Sequence, residues 1–146
     1  MNELQSIIIN ASNRVLKELG VGHNERIYHK ALVHELGCQG FNIDTEMHIV
    51  VKYVDSKNHC HHLESLRVDI FIHTYNIILE LKAISKKIQE QEKIQIKKYF
   101  NILNKEKREV KYGIIINFPQ TQAKSDVEYL IVENETNLAI QDHHTQ

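Results

Sequence analysis

Two neighbouring apolar runs limit the folds open to this chain more than anything else in it. The first reads Arg67-Val68-Asp69-Ile70-Phe71-Ile72 and the second Ile77-Ile78-Leu79-Glu80-Leu81-Lys82, with a short polar turn between. Runs this rich in Ile, Val and Leu are the strands of a sheet covered on both faces, where an unpartnered carboxylate is costly. Side chains two apart on a strand share a face, which places Glu80 beside Lys82. A turn centred between Thr74 and Tyr75 sets Asp69 opposite Glu80. Like charges opposed in a sheet are destabilising unless something answers them. The D-x(10)-E-x-K spacing therefore suits a cation and, beyond it, metal-dependent phosphodiester chemistry.

The rest of the chain reads as helices and strands around that hairpin. Apolar residues at Leu4, Ile7, Ile8, Ala11, Val15, Leu16 and Leu19 predict a helix over 3–19 that ends at Gly20. Asn24 is a good N-cap for a second helix running to about Gln39, with Ile27, Tyr28, Leu32 and Leu36 turned inward. Strands are expected over 41–54, 63–73 and 76–83, with 55–62 a polar loop. A third helix is expected over 87–104, its buried face including Ile88, Ile94, Tyr99, Ile102 and Leu103. A strand over 112–118 then stops at Pro119. Weaker strand-like pieces follow at 127–132 and 138–140. The order predicts a single α/β domain over 1–146 with a mixed sheet: three strands as a meander and a fourth delivered by a helical crossover. Its core spans about 5–118, and 119–146 form a β-like extension.

Charge is uneven along this chain. The net formal charge is −1, yet residues 82–111 carry ten basic against four acidic side chains, a local excess of +6. Lys86, Lys87, Lys93, Lys97 and Lys98 lie in that stretch and are candidate contacts for a phosphate backbone, or else a solvated helix face. No apolar run is long enough for a membrane span and no signal-peptide pattern opens the chain. Cys38 and Cys60 make no disulfide framework, which suits an intracellular location, cytoplasmic or nuclear.

Gly22-His23-Asn24-Glu25-Arg26-Ile27-Tyr28 matches a G-x-x-E-x-x-Y signature. With Arg67-Val68-Asp69, Glu80-Leu81-Lys82, Gln95, Tyr99 and the 113–118 strand following in order, the chain resembles the GxxExxY proteins of the PD-(D/E)xK nuclease-like superfamily. Val68 stands where the superfamily's name has Pro. The resemblance covers about residues 5–118. It implies a restriction-endonuclease-like αβββαβ core, nucleic acid (DNA first) as partner, and Mg²⁺ or Mn²⁺ as cofactor. Asp69, Glu80 and Glu25 would be metal ligands, with the Leu81 carbonyl beside them. Lys82 would orient water or neutralise the phosphate, and Gln95 would position either. Each residue also has a plainer reading. Glu80 and Lys82 could face solvent, Glu25 could complement its helix dipole, and Gln95 could be a surface polar group.

Two other functions stay open on sequence alone. One is a catalytically silent module that binds nucleic acid or a protein through the basic stretch. The other is an assembly component, such as a homodimer joined through the tail or an edge strand. The run His59-Cys60-His61-His62 offers soft-metal ligands, but adjacent ligands on one loop seldom close a zinc tetrahedron.

Overall fold

A computed structural model gives the fold and describes residues 1–122 and 125–135. Helix α1 spans Glu3–Leu19 and α2 spans Glu25–Cys38. Strands β1 (Ile43–Val54), β2 (Cys60–Ile72) and β3 (Ile77–Lys82) follow, then α3 (Glu90–Lys105), β4 (Tyr112–Asn117) and β5 (Glu128–Glu133). The five strands lie in the order β1-β2-β3-β4-β5. The first three form an antiparallel meander, β4 joins β3 in parallel after the α3 crossover, and β5 returns antiparallel to β4. The architecture is thus the expected α/β one, a mixed sheet with helices on both faces.

Alternation along the strands divides the core. Ile77, Leu79 and Leu81 of β3 pack with α1 and α2, whereas Ile78 packs with the α3 residues Ile96, Tyr99, Phe100 and Leu103. Glu80 and Lys82 have the parity of Ile78 and so belong to the α3 face. Across β4, Gly113 admits α3 to close range, because a Cβ there would run into Ile96 and touch Phe100.

Local chemistry accounts for the element ends. The Asn24 carboxamide accepts from the Ile27 amide, which starts α2 where its capping residue predicts. Four expectations need correction. Ile27 is exposed, because Tyr28, Leu32 and Leu36 define the buried stripe of α2. Ile94 is also exposed, and Ile96 takes the core position in α3. That helix starts at Glu90 rather than Lys87, since the Gln89 amide is capped by Glu92 and the Ile88 amide donates to Glu128. Finally, the polar loop closes early. Asp55 accepts from the amides of Lys57 and His59, and Cys60, His61 and His62 continue as strand, paired with β1. The expected piece at 138–140 lies outside the described residues.

Candidate active site

The β2–β3 ladder runs through Ile72↔Ile77, Phe71↔Ile78 and Ile70↔Leu79, and there it stops. The next step would pair Asp69 with Glu80, in the register the hairpin centre predicts. Instead the strands part. The Asp69 amide donates to Glu80 Oε1 at 3.1 Å, and the Leu81 amide donates to Asp69 Oδ2 at 2.8 Å. Each carboxylate takes the place of a missing backbone carbonyl on the opposite strand. On its other side Asp69 is also unpaired: Thr45↔Ile70 and Met47↔Val68 flank the gap, and the intervening Glu46 has φ 52°. Face alternation slips here as well, since Val68 packs with the α3 cluster and Ile70 with the α1–α2 cluster. Beyond this fork, residues 60–68 of β2 pair only with β1, and residues 80–82 of β3 only with β4.

Five further side chains, Lys82, Gln95, Tyr99, His29 and Glu25, surround the fork. Lys82 donates to Gln95 Oε1 at 3.3 Å, Gln95 donates to the Tyr99 hydroxyl at 3.1 Å, and Tyr99 donates to the Arg67 carbonyl at 3.0 Å. The lysine is thereby tied through α3 to the strand that carries Asp69. From the other face, His29 Nε2 lies 3.1 Å from the Asp69 carbonyl. Sequence reading passed over His29, although it follows Glu25 by four residues and so shares its helix face. Glu25, in the first turn of α2, interacts electrostatically with Asp69, Glu80, Lys82 and His29.

The G-x-x-E-x-x-Y segment is built to present Glu25. Gly22 adopts φ 92°, a conformation that favours glycine, and turns the chain into α2. Tyr28 is fully buried, donates to the Gly20 carbonyl at 2.7 Å and accepts from the His23 amide at 3.2 Å. Its ring stacks on Phe118 with centroids 4.3 Å apart. The tyrosine turns inward, as its helical position predicts, and ties the 20–23 turn to the core.

The electrostatics run one way. Burial, then the nearby Asp69 charge, lifts Glu80 well above the ordinary carboxylate range, against the Asp69 amide and Lys82. Burial also raises Asp69, opposed by the Leu81 amide, His29 and Lys82. Burial and the Asp69 charge raise Glu25, with Lys82 and His29 opposing. Glu80 is only 4% exposed, so the solvent-facing reading of it does not hold. Three acids that resist ionisation together would take a cation readily. Among the described residues no three His, Cys, Asp or Glu side chains are already gathered into a metal-ligand set, the His59–His62 segment included. The donors at the fork are all oxygen, the chemistry that suits Mg²⁺ or Mn²⁺ rather than zinc.

The sequence model of the PD-(D/E)XK nuclease superfamily matches residues 2–130. The chain belongs to this superfamily. In this PD-(D/E)XK protein the matched span contains the fork, Lys82, Gln95 and both helices that flank them. The crystal structure of SSO0001 aligns over 99% of the chain and 88% of its own length, at 13% identity and a TM-score of 0.47. No curated protein matches the chain. Among the described residues no helix is long and apolar enough to cross a membrane.

Around this centre the five candidate lysines are spread over two segments. Lys86 and Lys87 lie exposed on the 83–89 connection, and Lys97 and Lys98 lie exposed on α3. Lys93 is half-buried and 3.5 Å from Glu90. The connection itself is anchored by Asn117, a residue the sequence reading did not single out. Its carboxamide accepts from the Ile84 amide and donates to the carbonyls of Ile84 and Lys86 and to Glu128.

Proposed function

We propose that this protein is a GxxExxY-type nuclease that hydrolyses phosphodiester bonds in nucleic acid, DNA foremost, with Mg²⁺ or Mn²⁺ as cofactor. The observation that carries the reading is the open ladder step at which Asp69 and Glu80 face one another with Lys82 beside Glu80. Each acid commits one oxygen to an amide of the facing strand and keeps a second for a ligand. The Leu81 amide points into the same gap, and in an extended strand the carbonyl of a residue leaves from the edge its amide does. Asp69, Glu80 and Glu25 would hold the cation, with the Leu81 carbonyl beside them. When bound, that ion supplies positive charge for a phosphoryl oxygen and lowers the pKa of its water.

The chain's own groups do the remaining work. Lys82, held by Gln95, supplies a cation and a donor beside the phosphate, where negative charge grows as the bond breaks. Gln95 and Tyr99 keep that ammonium on the Glu80 face of the strand. His29 holds the Asp69 backbone from behind. Lys86, Lys87, Lys93, Lys97 and Lys98 add positive charge for the polyanion.

Among the described residues no three His, Cys, Asp or Glu side chains are already gathered into a metal-ligand set, which leaves a second reading open, a catalytically silent module that binds nucleic acid or a protein partner on the same fold. Calorimetric titration of Mg²⁺ and Mn²⁺ into wild type and Asp69→Asn, with incubation of each on mixed DNA and RNA substrates, separates the two. Metal binding and cleavage by wild type, both lost in the variant, support the nuclease. Nucleic-acid binding without specific metal uptake supports the silent module.

A further inference from the structure

Helix α2 and the β1–β2 pair stand apart over a groove of about 710 Å³, whose walls include Arg26, His29, Lys30, His34, Glu46 and Arg67. It borders the fork through His29, which lines the groove and reaches the Asp69 carbonyl. Arg26 follows Glu25, Arg67 precedes Asp69 by two residues, and Glu46 stands across from Asp69 in β1. Arg26, Lys30 and His34 recur every fourth residue and so form one stripe down α2, roughly 12 Å long at 1.5 Å per residue. Among the described residues Arg26 and Lys30 make no ion pair. The opposite wall holds Arg67, 3.7 Å from Glu46, an exposed pair of little intrinsic strength. The permanent charges are therefore three cations to one anion, and Val33 is the single apolar residue of the lining.

Two cations one turn apart on one helix face, Arg26 and Lys30, with no ion-pair partner among the described residues, fit a polyanion with regularly repeated charges. Seven of its eight lining side chains carry polar groups, and two of its cations are guanidinium groups that can grip phosphate through paired donors. We propose that it seats a single nucleic-acid strand on one side of the bond to be cut. Arg26 and Lys30 contact successive phosphates, and Arg67 contacts the phosphate next to the fork after exchanging Glu46 for it. This assignment rests on the nuclease reading for its orientation and is separate from the lysines of α3. It also gives Glu46 a role, as an internal anion that holds Arg67 until a strand arrives.

The test is binding of a short labelled oligothymidylate, followed by fluorescence anisotropy across a salt series in EDTA, with cleavage of the same strand in Mg²⁺ read separately. Arg26→Ala/Lys30→Ala should weaken binding at low salt by roughly tenfold or more. It should also flatten the plot of log affinity against log salt by about 0.7 for each contact removed. Glu46→Gln should tighten binding. Circular dichroism and melting of both variants would establish that they fold. A folded double variant with wild-type affinity and salt slope overturns the groove, as does displacement of the labelled strand by polyglutamate as readily as by unlabelled oligonucleotide at equal charge concentration. If wild type cleaves and the double variant binds and cleaves equally well, only the groove falls. If wild type binds without cleaving and the double variant loses binding, the groove stands and the nuclease reading falls.

Discussion

Asp69 and Glu80 each accept a facing amide with one carboxylate oxygen, and on the proposed reading each offers the other oxygen to a cation; substitutions can separate the two roles. Alanine at either site removes a charge and also strands an amide, that of Leu81 or of Asp69. Asparagine or glutamine keeps an oxygen acceptor and removes only the charge. Asp69→Asn and Glu80→Gln should therefore abolish cleavage and specific metal uptake, while Asp69→Ala should cost a further 1–3 kcal/mol or so of stability, read by urea unfolding. The direction of the Glu80 shift adds a pH signature. Its pKa is raised in the folded state, so the folded protein binds that proton more tightly than the unfolded chain. The associated stability is present below the ordinary value of 4.5 and is lost as pH rises through the elevated one. Glu80→Gln should thus gain stability at neutral pH relative to wild type without metal, with a flatter profile across this range. Urea titrations on the acid side and at neutrality check both expectations. Tyr99→Phe leaves the Arg67 carbonyl without its donor and should cost about 1 kcal/mol while loosening Lys82.

The strands and helices were legible in the sequence where local chemistry decides them. Asn24 marked the start of α2, and Pro119 marked the end of β4. The hairpin centre also gave the register of β2 on β3, because a turn of defined length leaves no freedom in pairing. The errors fell where tertiary contacts decide. Ile94 looked like core by composition, but Glu92, Ile96, Tyr99, Phe100 and Leu103 mark the buried face of α3, which Ile94 does not share. Ile88 belongs to the connection before the helix, pinned there by Glu128 from a strand forty residues away. Asn117 and His29 were silent for a similar reason: each acts through a backbone group remote in sequence. Gly113 carries an element-scale prediction. Gly113→Ala should cost about 1–3 kcal/mol by driving a methyl group into Ile96. Most of that loss should return in an Ile96→Ala background, and a double-mutant cycle measures the coupling.

At the scale of the whole molecule, the sheet is two sheets joined at a short central ladder. β1 and the outer part of β2 form one arm, β3, β4 and β5 the other, and the acids lie at the divide. A cation held by both arms would bind the folded state alone and raise its stability by about 2.7 kcal/mol at a hundred times its dissociation constant. Melting with and without Mg²⁺ should show that gain in wild type and none in Asp69→Asn. The divide bears on how kindred chains can be read. A related chain without nuclease chemistry would still need acceptors for the Asp69 and Leu81 amides, so an acid or amide at those positions testifies to the shape of the sheet and not to a working enzyme. Lys82 caps no backbone amide: Gln95 is its one hydrogen-bond partner among the described residues, and its charge offsets those of Glu25, Asp69 and Glu80. On the nuclease reading, its ammonium is the group whose loss would disarm the site without stranding a backbone amide.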